Sequence, residues 1–332
     1  MELEPLRAGF IGAGGFAVST LYPALHLAPI ALQAICEVDE ERAKNIAGKF
    51  GTGKWYRDYH QMWEKEDIEG MIICMGPEAR QPLVREALEA GYHVFVPKPP
   101  ATTLADATEL AEASDRVGKV VMVNFQRRFS LGVRRAIEIM QRNDFGQVTQ
   151  LLGSFCSGEY RSLLAKTGAT VECGAPQVYL LDFAIHYFDL IRYIGGEVKA
   201  ISTFHNEIGG QGAFAVALEF ESGAVGTLQL NSHRLWGRNY DRVEITGQGE
   251  HIILDDLWKI AHYTESQNVF TDNFSDQRNG ELTGDGYSLT EFVRAIRTDR
   301  EPIASIHDCL GTMRLYEAVL ARQSGVIRLG SS

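Results

Sequence analysis

Three groups of residues in this chain have the types and spacing for chemistry. Asp182, His186 and Asp189 recur at i, i+4 and i+7 in an otherwise apolar segment running from Gln177 to Ile194. At 3.6 residues per turn these three share one narrow helical stripe. Charges on a buried helix cost several kcal/mol each when unpaired, so the stripe must face a polar cleft or a partner. A histidine braced by two carboxylates can be a core residue. It can also be an acid/base pair, or two ligands of a metal that lacks a clear third ligand elsewhere. The second group is Lys98, set between Pro97 and Pro99-Pro100. Prolines on both sides fix φ and stiffen such a turn, which would present an ammonium in a defined place.

The third group is the turn Gly12-Ala13-Gly14-Gly15-Phe16-Ala17, entered from the apolar run Leu6–Ile11. A strand feeding a G-x-G-x-x-A turn and then a helix suits a nucleotide diphosphate. Gly12 permits the turn, Gly14 lets the backbone approach the pyrophosphate, and Ala17 lets helix and strand pack closely. The helix N-terminus offers its N–H groups to the phosphates. Glu37 ends the next apolar run and can accept both ribose hydroxyls. A carboxylate there repels a 2′-phosphate, so NAD is expected over NADP; Arg42, a turn later, moderates that repulsion.

The elements that must carry these residues follow from the pattern. Strands are expected at 6–11, 32–37, 70–75, 93–96 and 120–123, alternating with helices at 16–28, 40–50, 58–65, 79–90 and 103–117. Continuous apolar runs such as Met71–Met75 read as parallel strands buried on both faces. This predicts an α/β, doubly wound Rossmann domain over 1–123, with ligands at the carboxyl ends of its strands. Those ends carry Gly12, Gly14, Gly15, Phe16, Glu37, Met75, Gly76, Pro77, Lys98 and Gln126. Residues 124–332 read as a second, α+β domain. A helix at 131–142 and a possible strand come first. The helix at 177–194 follows, then short alternating strands between 198 and about 270, and helices at 288–298 and 307–323. The strands predict a large open, mainly antiparallel sheet. Helices mainly on one face leave the other to be covered, so self-association into a homodimer or homotetramer is expected.

With 332 residues, two domains are natural. The formal charge of −11 disfavours nonspecific binding to nucleic acid or anionic membrane. Five scattered cysteines without a C-x-x-C pair suggest neither a disulfide framework nor a zinc site. Met1-Glu2-Leu3-Glu4-Pro5 lacks the basic, apolar start of a secretion signal, and no stretch approaches a membrane span, so a cytoplasmic protein is expected.

The stretches Gly9–Ala17, Ala34–Asp39, Glu89–Pro99, Asn124–Phe129 and Asp182–His186 together resemble the glucose–fructose oxidoreductase / inositol dehydrogenase / MocA family of NAD(P)-dependent oxidoreductases. The resemblance covers essentially the whole length. It implies hydride transfer between nicotinamide and a sugar, cyclitol or related polyol or keto compound, with no metal. It also implies that His186 exchanges the substrate proton, that Asp182 tunes or orients the site, and that Lys98 hydrogen-bonds the reacting oxygen. An NAD-dependent glycosidase using transient oxidation, or a non-catalytic sensor of NAD or sugar, would share the fold. Pro97 stands where the family has Glu, and Glu78-Ala79-Arg80-Gln81 where it has Asn-x-x-His. Candidate substrate-pocket residues are Arg128, Arg161, Lys166, His233, Arg234 and Trp236, whose cations and ring suit a polyhydroxylated or acidic sugar.

Overall fold

The computed structural model describes residues 3–142, 144–157, 175–209, 211–233, 240–277, 281, 283–322 and 325–330. The chain divides into two compact units, residues 1–126 with 279–310, and 127–278 with 311–332. The division is therefore not a single cut near residue 123, because a late segment belongs with the first unit.

The first unit is built on six strands: β1 (Leu6–Ile11), β2 (Ile30–Cys36), β3 (Trp55–Tyr56), β4 (Gly70–Ile73), β5 (His93–Pro97) and β6 (Val121–Asn124). They lie in the order β3-β2-β1-β4-β5-β6, and every pairing is parallel. This is the strand order of a dinucleotide-binding fold. The winding reverses between β1 and β4, which opens a crevice at the carboxyl ends of the strands. Phe10, Met71, Ile72, Phe95 and Met122 are sealed between the helical layers, as continuous apolar strands require. The crossover helices start where short polar side chains accept backbone N–H groups. Asp39 caps Glu40–Lys49, Asp58 caps Tyr59–Lys65, and Thr103 caps Leu104–Val117.

The expected helix at 16–28 is a composite. A π-helical turn spans Ala17–Leu21, closed by the Tyr22 N–H on the Ala17 carbonyl; Tyr22–Ala24 is α-helical and Leu25–Leu27 is 3₁₀. Pro23 has no N–H to continue a regular ladder. The two-residue β3 was too short to register as a period. The returning segment packs its helix Asp285–Arg297 on the same unit. Phe292 lies 5.5 Å from Phe95, and Arg297 donates to both carboxylate oxygens of Glu69 at 2.8 and 2.9 Å. Asn124 donates to Asp285 at 2.9 Å, and Ser305 bridges antiparallel to Met122 on β6.

The second unit carries nine strands: β7 (Gln150–Cys156), β8 (Val198–Ile208), β9 (Gln211–Phe220), β10 (Val225–Asn231), β11 (Tyr240–Thr246), β12 (His251–Asp255), β13 (Lys259–Tyr263), β14 (Val269–Asn273) and β15 (Val326–Arg328). Their order is β14-β13-β12-β11-β7-β10-β9-β8-β15. The sheet is antiparallel except for the β7–β10 pair. One face buries Phe214, Val216, Leu218, Leu228, Leu230, Val243, Ile245, Ile252 and Ile260. Register carries the opposite face across eight strands, in rows such as Ser202, Ala217, Thr227, Leu152, Glu244, Ile253, Ala261 and Thr271. The alternation that revealed the inner strands is missing from β14, whose five residues are all exposed. It cannot show in the three-residue β15.

Candidate functional site

At the crevice of the first unit, Gly12 adopts φ +96°, and a Cβ there would stand 2.3 Å from the Cys74 carbonyl oxygen. Gly12 is thus required twice, by its backbone conformation and by the approach of β4. Gly14 and Gly15 differ, since a Cβ on either would project into open space. That space is a cradle at the mouth of the turn, of the kind a pyrophosphate fills. Ala17 is fully buried behind it and Phe16 is exposed.

Glu37 is almost sealed, with 8% of its surface exposed. One carboxylate oxygen accepts the Ala13 N–H at 2.9 Å, so the acid braces the glycine turn. The other accepts the Asp39 N–H at 3.1 Å and an Arg42 N–H at 3.0 Å. Burial pushes this carboxyl up, but the Asp39 and Ala13 amides and the Arg42 guanidinium outweigh it and hold it below the usual carboxylate range. An ionised acceptor therefore stands just beyond the carboxyl end of β2. A cleft of about 380 Å³ opens here, lined by Gly12, Gly14, Glu37, Val38, Arg57, Tyr59 and Met75 among others. Arg57 and Tyr59 belong to this wall and carried no motif that sequence reading could use. Gly76 caps the helix Pro77–Glu89, and Met75 beside it is 38% exposed. Lys98 follows β5 and is half-buried between the buried Pro97 and Pro99. Gln81, at the family's usual histidine position, bonds Asp106 of the helix Leu104–Val117. Gln126 is half-buried after β6.

In the second unit the predicted helix at 177–194 is present but not uniform. Ala175–Val178 is α-helical, Tyr179–Ala184 is π-helical, and Ile185–Gly195 is α-helical again. The π turn holds Asp182, which is half-buried, and His186 follows at 9% exposure. Wide turns of this kind recur at functional positions. The widening, and the ion pair that Asp189 makes, correct the expectation of a single three-residue stripe. Asp189 is fully buried and accepts from Arg128 Nε at 2.8 Å, with a second bond from Arg128 Nη2. Thr312 also donates to it, at 3.2 Å.

Arg128 is 2% exposed, so this candidate for the substrate pocket is instead an internal counter-charge for Asp189. Its neighbour Arg127 pairs with Asp241, lies over the Tyr187 ring at 4.5 Å, and shares Asp241 with the Tyr187 hydroxyl at 2.7 Å. Tyr187 and Asp189, which closely follow His186 along this helix, are thereby pinned. His233 is half-buried, its N–H held by Asn231 at 2.7 Å. Arg161, Lys166, Arg234 and Trp236 lie outside the described residues.

Residues 6–125 match the oxidoreductase family with an NAD-binding Rossmann fold, and residues 133–253 match the GFO/IDH/MocA C-terminal domain. The chain belongs to the GFO/IDH/MocA family. It is 26% identical to a myo-inositol 2-dehydrogenase of Thermotoga maritima over 96% of each chain. Among solved structures it resembles a dehydrogenase from Chromobacterium violaceum (TM-score 0.86, 22% identity, 96% of this chain and 95% of that one). It also resembles a levoglucosan dehydrogenase in complex with NADH and levoglucosan (TM-score 0.84, 18% identity, 99% and 100%). As a member of the family it is an NAD-dependent oxidoreductase, with the Rossmann domain and mainly antiparallel second sheet that the sequence predicts. The cradle at Gly14 and the ionised Glu37 fit NAD: Gly14, Gly15 and the adjoining N–H groups would face the pyrophosphate, and Glu37 the adenosine ribose. Neither the glycosidase nor the sensor alternative is favoured by these likenesses. No helix among the described residues is long and apolar enough to cross a membrane.

Proposed function

We propose that this GFO/IDH/MocA protein is an NAD-dependent dehydrogenase of a cyclitol or sugar-like polyol, with Lys98, Asp182 and His186 as its working residues. The observation that carries the reading is the end-to-end likeness to a myo-inositol 2-dehydrogenase in a chain that keeps all three residues. Bound NAD supplies the hydride acceptor. A carbinol becomes a carbonyl only if the hydroxyl proton also leaves, and His186 is the base that takes it. The role of the Lys98 ammonium is to stabilise the alkoxide character that develops as hydride leaves. Asp182, four residues before His186, orients the imidazole. Met75, Gly76, Pro77 and Gln126 border the cofactor with the glycine turn, and His233 contributes to the substrate pocket. Arg42 tempers Glu37 without reversing the preference for NAD.

The test is a turnover panel of purified protein with NAD and NADP against myo-inositol, scyllo-inositol, levoglucosan, aldoses and sugar acids, following NADH formation. Reduction of NAD by a cyclic polyol, with higher kcat/KM than NADP, supports the reading. Cofactor that stays bound while a glycoside is cleaved overturns it. The open face of the nine-stranded sheet, with its small and β-branched rows, is the surface for a second copy in a homodimer or homotetramer. Light scattering giving a monomer mass would remove that element. The reducing cytoplasm is the compartment that suits separated cysteines, and among the described residues no disulfide forms.

A further inference from the structure

Arg80 sits in the first turn of the helix Pro77–Glu89 and is 1% exposed. It stands between Glu78 and Gln81, at a position that no motif singled out. Its guanidinium reaches two carbonyls. Nη1 donates to Met75 at 3.0 Å, and Nη2 donates to Pro99. Met75 belongs to the turn after β4, and Pro99 to the turn after β5 that bears Lys98. A single planar fork therefore ties together the two turns at the carboxyl edge beyond the switch point. Among the described residues no carboxylate pairs with it, and its Nε finds no hydrogen-bond partner. Burial pulls the guanidinium down to about 10, still charged at neutral pH. A sealed cation bonded only to neutral carbonyls is costly to the fold. Aliphatic packing alone would be cheaper there, which points to a role in holding these turns.

We propose that Arg80 is a positioning residue for the nicotinamide half of the cofactor site, fixing the Met75 turn and the Lys98 turn relative to each other. The inference rests on the proposed role of Lys98 and on the Rossmann crevice. Glu37 takes the adenosine side at β1–β2, so the second mononucleotide lies across the switch point toward β4 and β5. The fork geometry is essential, because a lysine keeps the charge but is a point donor that cannot hold two carbonyls in one plane.

Arg80→Lys and Arg80→Met are compared with the parent by calorimetric titration with ADP-ribose, which lacks the nicotinamide, and with NADH. Bound-NADH fluorescence, Tm and kcat are read alongside. ADP-ribose affinity should stay within about twofold in Arg80→Lys. The advantage of NADH over ADP-ribose should shrink roughly tenfold, and the emission of bound NADH should move toward that of free NADH. Where a substrate is turned over, kcat should fall on the order of 10- to 100-fold, as for a displaced catalytic group, with KM changing less. Unchanged NADH affinity and emission in Arg80→Lys would overturn the inference. So would parallel loss of ADP-ribose and NADH binding, which would mark a general collapse of the unit. Lys98→Ala and His186→Ala separate the two ideas: full activity in those variants sinks the proposed function while leaving the NADH–ADP-ribose comparison at Arg80 intact.

Discussion

The cofactor crevice and the helix bearing His186 are made rigid by opposite means. The crevice is shaped by main chain, through a glycine that no Cβ can replace, two glycines facing open space, and one buried acid that braces the turn. The helix is held by side chains, through Arg128 on Asp189 and through Arg127 and Tyr187 on Asp241. Main-chain architecture reads out in sequence, because only glycine satisfies it. Side-chain pairing across 61 residues, as between Arg128 and Asp189, leaves no local signature.

The contrast can be broken experimentally, beginning with the largest effect. His186→Ala should lower turnover by about 10²- to 10⁴-fold without altering NADH affinity; retained turnover in steady-state kinetics would remove His186 from its role. Asp189→Asn leaves Arg128 buried without its counter-charge, and should cost about 3–5 kcal/mol in denaturant melts. If stability holds, the helix is anchored by something else. Next come the glycines. Gly12→Ala forces a strained φ and a collision with Cys74, a penalty of about 1–3 kcal/mol, seen as a lowered Tm. Gly14→Ala should leave Tm unchanged while weakening NADH binding about tenfold, or about 1.4 kcal/mol. Equal effects at both positions would refute the division between a structural and a ligand-facing glycine.

The smallest effect is a pH slope. Burial pulls His93 at the head of β5 down to about 4, and its Nδ1 accepts the Val120 N–H at 3.1 Å. The unfolded chain binds that proton more readily, so this contribution is full above about 6.5 and is lost as pH falls toward 4. His93→Gln should flatten that limb in melts taken across the window. An unchanged slope would assign it to other groups.

The two units were unequally legible. The largely apolar strands β1, β4 and β5, alternating with helical segments, point to a parallel sheet, and the G-x-G-x-x-A turn followed by Glu37 places the crevice at its edge. The helix bearing Asp182 and His186 was visible from its apolar run, but the fate of Asp189 was not. A carboxylate aimed at a cleft and one aimed at a buried arginine look alike until the partner is known. The π turns at Ala17–Leu21 and Tyr179–Ala184 were also hidden, because one residue of extra width leaves an apolar periodicity almost unchanged. Short or wholly exposed strands such as β3 and β14 carry no alternation to detect.

The segment 279–310 has a consequence for biosynthesis. The dinucleotide-binding unit owns residues that leave the ribosome only after β7–β14 of the other unit have been made. Until they arrive, the outer edge of β6 lacks the Ser305 bridge and the Phe292 ring that meets Phe95 is absent. The nascent unit therefore waits, with an open strand edge of the kind that invites mispairing. A chain truncated just before Asp285 should populate that incomplete species permanently, and so depend on chaperones that a chain carrying this segment needs only in passing.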